Sequence, residues 1–223
     1  RIRGKLDDGQ IVVSSADKEA VRLILDGVDI TNRKGAPIAI EKASKAILVL
    51  ADNTQNSVTD AAKYVFADPK VDEPNAAIFS KSDLTIDGNG ALTVKANFND
   101  GIASKDGLVI MRGVLNVNAA DDAIRGKNYL VIHDGTFNLT SKGDGLKSDH
   151  EEDAKKGYIS IDNGTFSITA SGDAIQAHTD VLVKNGKFTL ASGGGSAVHP
   201  NDSVSTKGLK SSVSMVIDGG TFA

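Results

Sequence analysis

The chain contains no cysteine and no tryptophan, and only 3 tyrosines and 7 phenylalanines among its 223 residues. Without cysteine there is no disulfide and no thiolate metal site, and the redox compartment stays open. With so few rings, a flat platform for stacking on sugars would have to draw on Tyr64, Tyr129 and Tyr158. No apolar run approaches the roughly 20 residues that span a bilayer, so membrane insertion is not expected. A net charge of −4 supplies no basic field for a nucleic-acid partner. The chain opens on Arg1-Ile2-Arg3, with neither an initiator Met nor a signal-peptide pattern, and reads as a trimmed piece of a longer protein.

What is plentiful is glycine, with 23 residues, and it recurs in register. Gly113-Val114-Leu115, Gly135-Thr136-Phe137, Gly164-Thr165-Phe166, Gly186-Lys187-Phe188 and Gly220-Thr221-Phe222 repeat a turn followed by an apolar residue. The basic step is 22 residues, lengthened by inserts at about 149–157 and 200–211. Before each Gly turn stands an alternating pair such as Leu108/Ile110, Leu130/Ile132, Ile159/Ile161 or Val181/Val183. After it stands another, such as Leu115/Val117, Phe137/Leu139, Phe166/Ile168 or Phe188/Leu190. A third inward point is expected at Ile78, Ile102, Ile124, Leu146, Ile175 and Val198. Alternation with period 2 predicts strands buried on one face. Three short strands in a fixed repeat predict an all-β fold, a right-handed parallel β-helix of about 22 residues per coil.

The pattern extends over residues 1–223 as one domain. Ile11-Val12-Val13, Leu23/Leu25, Val28/Ile30, Ile38/Ile40 and Ile47 to Leu50 read as earlier coils. Residues 51–75 break the period and are expected to form an irregular loop, with a short helix around Asp60 to Phe66. None of Pro37, Pro69, Pro74 and Pro200 falls inside a predicted strand. Ala223 falls within a strand, so a further coil or cap is expected beyond it.

An acidic column accompanies the repeat: Asp100, Asp122, Asp144, Asp173, then Ser196, with Asp121 beside Asp122. Equivalent residues of successive coils stack about 4.8 Å apart. Carboxylates about 5 Å apart repel by about 3 kcal/mol per pair at an effective dielectric near 20. Two readings of the column stand. Calcium, which takes oxygen ligands, would neutralise the stack; alternatively, each Asp is a turn residue bonding its own backbone. Cations lie close by in sequence, with Arg125 and Lys147 three residues after their acids, Lys127 five after Asp122 and His178 five after Asp173. They would pair with uronate carboxylates, or simply offset the acids.

The segments "NDGIASKDGLVI", "ADDAIRGKNYLVIHDGTF", "KGDGLKSDHEEDAKKGYISIDNGTF" and "SGDAIQAHTDVLVKNGKF" resemble a family of secreted bacterial carbohydrate-binding parallel β-helix proteins, similar in shape to the family 9 polysaccharide lyases. The resemblance covers residues 76–195 well and the N-terminal part loosely. It implies calcium held among Asp100, Asp121, Asp122, Asp144, Asp149 and Asp173. It also implies a secreted or cell-surface location and affinity for plant cell-wall polysaccharide, polygalacturonate or pectin and also cellulose. The substrate-binding residues expected beside the metal are Arg125, Lys127, Lys147 and His178. The lyases carry an acid four residues after the first Asp of their pair, where this chain has Arg125. The expectation is therefore a monomeric, non-catalytic, calcium-dependent binder of acidic plant polysaccharide. The alternatives are a pectate-lyase-like eliminase with Lys147 as base, and a calcium-stapled adhesin or stalk.

Overall fold

Each alternating run becomes a strand because its apolar half has only one place to go, the interior of the coil. A computed structural model describes residues 1–66, 68, 70–195, 198 and 205–223, with 24 strands and no helix among them. The lead-in consists of β1 (Ile2–Leu6), β2 (Ile11–Ser14) and the long β3 (Val21–Thr31). Seven three-strand coils follow. They are β4 (Ile38–Lys42), β5 (Ala46–Leu50) and β6 (Gln55–Thr59); β7 (Ala76–Ser80), β8 (Leu84–Asp87) and β9 (Ala91–Ala96); and β10 (Asp100–Ser104), β11 (Gly107–Ile110) and β12 (Val114–Ala119). Next come β13 (Ile124–Gly126), β14 (Tyr129–Ile132) and β15 (Thr136–Ser141), then β16 (Leu146–Ser148), β17 (Tyr158–Ile161) and β18 (Thr165–Ala170). The last are β19 (Ile175–Ala177), β20 (Asp180–Val183) and β21 (Lys187–Ser192), and β22 (Leu209–Lys210), β23 (Ser214–Ile217) and β24 (Thr221–Phe222).

Every pairing is between a strand and its counterpart one coil away, and all pairings are parallel. Leu108 aligns with Leu130, Ile159 and Val181 in turn, and Leu115 with Phe137, Phe166 and Phe188. The result is a parallel β-solenoid of about 8 turns. It has three faces: β5 through β23 on the first, β6 through β24 on the second, and β2 through β22 on the third. The first two join through β3, whose two halves pair with β5 and β6.

The interior is one continuous apolar cluster from Val13 to Phe188. Each buried aliphatic side chain in it contributes about 1.5–3 kcal/mol. Phe137, Phe166, Phe188 and Phe222 stack in one column, with centroids 4.6, 4.7 and 4.5 Å apart. The glycine signature marks the corner before the second face. Gly113, Gly135, Gly164 and Gly186 hold φ of 124, 138, 140 and 139°, where a Cβ is strained. Each of their carbonyls accepts the amide of the next coil, as in Thr136 N to Gly113 O at 2.9 Å.

The structure corrects three details. Residues 60–66 contain no helix, and the segment expected as a loop carries strand β6. The apolar pattern misses β6 because Asn56 occupies the inward rung that Leu92 fills one coil on. Asn56 is buried and fully bonded: its oxygen accepts the amides of Gly27 and Val28, and its NH₂ reaches Ala91 O and Thr54 Oγ1. The third-face rung after Ile175 is Leu209, not Val198, which is 48% exposed. The second insert therefore precedes β22 and does not run through it. Ser196 and Pro200 lie outside the described residues. The first insert leaves the solenoid after Ser148 and rejoins it at Tyr158.

Candidate functional site

The acidic residues occupy the corner leading into the third face, and they form a bonded ladder. Asp100 Oδ1 accepts the amide of Asp122 at 3.3 Å, Asp122 Oδ1 that of Asp144 at 2.8 Å, and Asp144 Oδ1 that of Asp173 at 2.7 Å. Asp173 Oδ1 accepts the amide of Lys207 at 2.6 Å, so Lys207 holds the next rung expected for Ser196. Each carboxylate thus does across coils what an Asp does within a turn. All four are buried, with Asp100 and Asp173 1% exposed.

Their second oxygens face cations, one coil on for Asp122 and Asp173 and on the same coil for Asp144. Asp122 Oδ2 and Asp144 Oδ2 each lie 3.0 Å from Lys147 Nζ. Asp173 Oδ2 lies 3.1 Å from Lys210 Nζ. Burial works against the Lys147 charge, but Asp122 and Asp144 outweigh it and raise its pKa. Asp122 is pushed up to about 6, by burial first, with Lys147 pulling the other way.

Asp100 is the exception in the column. Its Oδ2 is buried with no hydrogen-bond partner, and the nearest cation, Arg125 Nη1, stands 3.6 Å away. Arg125 is committed elsewhere, gripping Asp149 with Nε at 3.2 Å and Nη2 at 2.6 Å. Burial, then the charge of Asp122, pushes the Asp100 carboxyl up to about 7. Ligand oxygens of Asp100, Asp121 and Asp122 lie within 4.8 Å of one another, the one such acidic group among the described residues. A Cβ on Gly143, one rung on, would collide with Oδ1 of both Asp121 and Asp122. The rung before Asp121 holds Asn99, and the one before that Asn75, whose Oδ1 is also buried without a partner. This corner therefore offers three carboxylates, two orphaned buried oxygens and a notch kept open by glycine. That donor set fits a hard cation such as calcium, which takes 6–8 oxygens from carboxylates, amide carbonyls and water.

The structure gathers Asp100, Asp121 and Asp122 into this cluster. Asp144 and Asp173 continue the same column beside lysines, and Asp149 stands apart with Arg125. Lys127 lies at the next corner, with no carboxylate in ion-pair distance among the described residues, and His178 is half-buried two coils further on. Lys210 and Lys207 escape the sequence reading because the insert shifts the register. The recurrence of Gly145-Leu146-Lys147-Ser148 as Gly208-Leu209-Lys210-Ser211 carries the signal that finds them.

A family model described as carbohydrate-binding domain-containing protein matches residues 1–223. The chain belongs to this carbohydrate-binding domain family. A carbohydrate-binding domain-containing protein of Acetivibrio thermocellus is 49% identical over 116 residues, 52% of this chain and 41% of the relative. The chain thus spans about two fifths of that relative's length. A solved structure, described as the polysaccharide lyase-like protein from C. thermocellum, gadolinium derivative, superposes with a TM-score of 0.88 at 39% identity. That superposition covers 98% of this chain and 84% of the other. Membership of the carbohydrate-binding domain family and the lyase-like fold together support polysaccharide binding as the general function.

Proposed function

We propose that the chain is a non-catalytic, calcium-dependent binding module for acidic plant cell-wall polysaccharide, polygalacturonate or pectin. The observation that carries this reading is the orphaned Asp100 Oδ2, buried inside the three-carboxylate corner. A buried carboxylate oxygen without a hydrogen bond is costly, and a cation held by Asp100, Asp121 and Asp122 would reduce the cost. When bound, the ion would supply positive charge at the surface edge, where Asp121 is accessible. Uronate carboxylates would be drawn to it and to Lys127. Under this reading the protein acts as a monomer outside the cell, where calcium is abundant.

Elimination from a uronate needs a base to take the C5 proton. Lys147, the candidate at this corner, is held as an ammonium between Asp122 and Asp144 with a raised pKa. That is the wrong direction for a base at neutral pH, and it favours binding over lyase chemistry. The test is calorimetric titration with calcium, then retention on polygalacturonate with calcium or chelator, for wild type and Asp121→Asn. Calcium uptake and calcium-dependent retention, both lost in the variant, are expected, with no rise in ultraviolet absorbance from unsaturated product. A sustained rise abolished in Lys147→Ala would establish the lyase instead. Retention indifferent to chelator would remove the metal from the mechanism.

A further inference from the structure

Strand register sets one outward column on the third face: Arg125 aligns with Lys147, Lys147 with Gln176, and Gln176 with Lys210. Its two lysines follow a rule. Each pairs with the acidic column one coil back, Lys147 with Asp122 at 3.0 Å and Lys210 with Asp173 at 3.1 Å. Applied to Arg125, the rule names Asp100, which lies one coil before Asp122. Arg125 breaks the rule. Its Nη1 stops 3.6 Å from Asp100 Oδ2, too far for a hydrogen bond. Its Nε and Nη2 close instead on Asp149, at 3.2 and 2.6 Å.

Asp149 is itself a break in the repeat. One and two steps of 22 residues earlier, the same place holds Lys127 and Lys105. An acid therefore stands where the two preceding coils carry cations. It is the first residue after β16, where the insert leaves the solenoid.

Neutralising a half-buried guanidinium does not explain this acid. Asp100 is close by, 1% exposed, and has an oxygen in need of a partner, so the repeat already supplies the counter-charge. Pairing Arg125 with Asp100 would satisfy both groups and leave no orphaned oxygen. Asp149 draws the guanidinium away from that arrangement. Arginine suits the task where lysine does not, because its planar fork gives two donors to one carboxylate and fixes the direction of the third.

We propose that Asp149 is a positioning residue for the acidic corner: it holds the Arg125 guanidinium off Asp100, so that Asp100 Oδ2 stays open to a cation. The inference rests on the calcium reading above, but it gives Asp149 a role outside the ligand set. Two effects act together. The engaged fork keeps Arg125 from closing the remaining distance to Asp100. The charge of Asp149 also offsets the guanidinium, which otherwise repels a divalent ion at this corner. Without Asp149, Arg125 becomes a tethered competitor for the metal, present at high effective concentration. The corner would then match the Lys147 and Lys210 rungs, where side-chain cations satisfy the acids.

The test is calcium binding by calorimetry for wild type, Asp149→Asn, Arg125→Gln and the double variant, with thermal melting to check that each folds. Asp149→Asn is expected to bind calcium about tenfold more weakly, or worse, the scale of a close charge pair. Arg125→Gln should bind at least as tightly as wild type. Its gain should be several-fold larger in the Asp149→Asn background, restoring the affinity there. Unchanged affinity in Asp149→Asn would overturn the assignment. So would an equal gain from Arg125→Gln in both backgrounds, which would make Asp149 a ligand. Unfolding in chelator supplies a metal-free arm. The coupling between Arg125 and Asp100, read from Arg125→Gln, Asp100→Asn and their combination, should be stronger in the Asp149→Asn background than in wild type. If wild type takes up no calcium, the calcium reading fails and this arm alone decides the positioning role. Equal coupling in the two backgrounds overturns it.

Discussion

Asp122 Oδ1 accepts the backbone amide of Asp144, 22 residues further along, at 2.8 Å. The bond ties the side chain of one coil to the main chain of the next, and its repetition from Asp100 to Lys207 makes the acidic column part of the scaffold. The proposed metal role falls to Asp100, the one member whose other oxygen has no hydrogen-bond partner.

Replacing that member separates the two roles. Asp100→Asn keeps an oxygen for the Asp122 amide and removes a buried charge. In chelator the variant is expected to be more stable than wild type by about 1–3 kcal/mol, the scale of an unsatisfied buried group. In calcium the order should reverse, because the variant loses the metal's stabilisation. Denaturant titration with and without calcium reads both, and a variant that calcium still stabilises would exclude Asp100 as a ligand.

Lys147→Met removes the cation shared by Asp122 and Asp144. Breaking a buried pair costs about 3–5 kcal/mol, and the 23% exposure of the lysine side chain reduces this to about 2 kcal/mol. Urea unfolding measures it. A neutral result would mean that the ladder amides alone hold the two carboxylates.

Asp60 sets a pH dependence. Burial raises its pKa, against the amide of Asn97 and the hydroxyl of Tyr64 at 2.7 Å. A folded-state acid with a raised pKa holds its proton longer than the unfolded chain does. Its contribution to stability is therefore greatest below about pH 4, declines as pH rises through the raised folded value, and is flat above it. The difference in melting temperature between wild type and Asp60→Asn should follow that course between pH 3 and 8. A difference that grows in favour of wild type with rising pH would contradict the assignment.

Phe166 sits between two rings of the phenylalanine column, 4.6 Å from Phe137 and 4.7 Å from Phe188. Phe166→Ala is expected to cost about 3–5 kcal/mol, read from the shift of the denaturation midpoint at constant slope.

Asn56→Leu restores the apolar consensus of its rung and should nevertheless destabilise. It strands the amides of Gly27 and Val28 and the carbonyl of Ala91. Each orphaned group costs about 1–3 kcal/mol. A stabilised variant would show that shape matters more than polar satisfaction at this rung.

Most of the fold was legible in the sequence because a solenoid writes its period into every coil. The Gly-turn and the alternating pairs of Leu108 to Leu190 give the coils directly, and the strands fall where they predict. Legibility fails where a rung is filled by something other than an apolar side chain, as at Asn56, whose burial rests on four hydrogen bonds that no hydropathy pattern encodes. It fails again where an insert moves the frame, so that Val198 stands in for Leu209 and Lys210 goes unnoticed. The acidic column itself was visible, but its division of labour was not. That Lys147 serves two acids, that Arg125 is spent on Asp149, and that Asp100 is left over depend on side-chain directions across coils.

The corner between the third and first faces passes from Gly126 to Tyr129 with two residues in one coil, and from Ser148 to Tyr158 with nine in the next. Tyr129 and Tyr158 nonetheless align as partners. Length is free at this corner while register is not. New loops can be spliced in there, or swapped between relatives, without retuning the rungs on either side. That makes it the natural place for lineages of this architecture to diversify and for an engineer to graft a different recognition element.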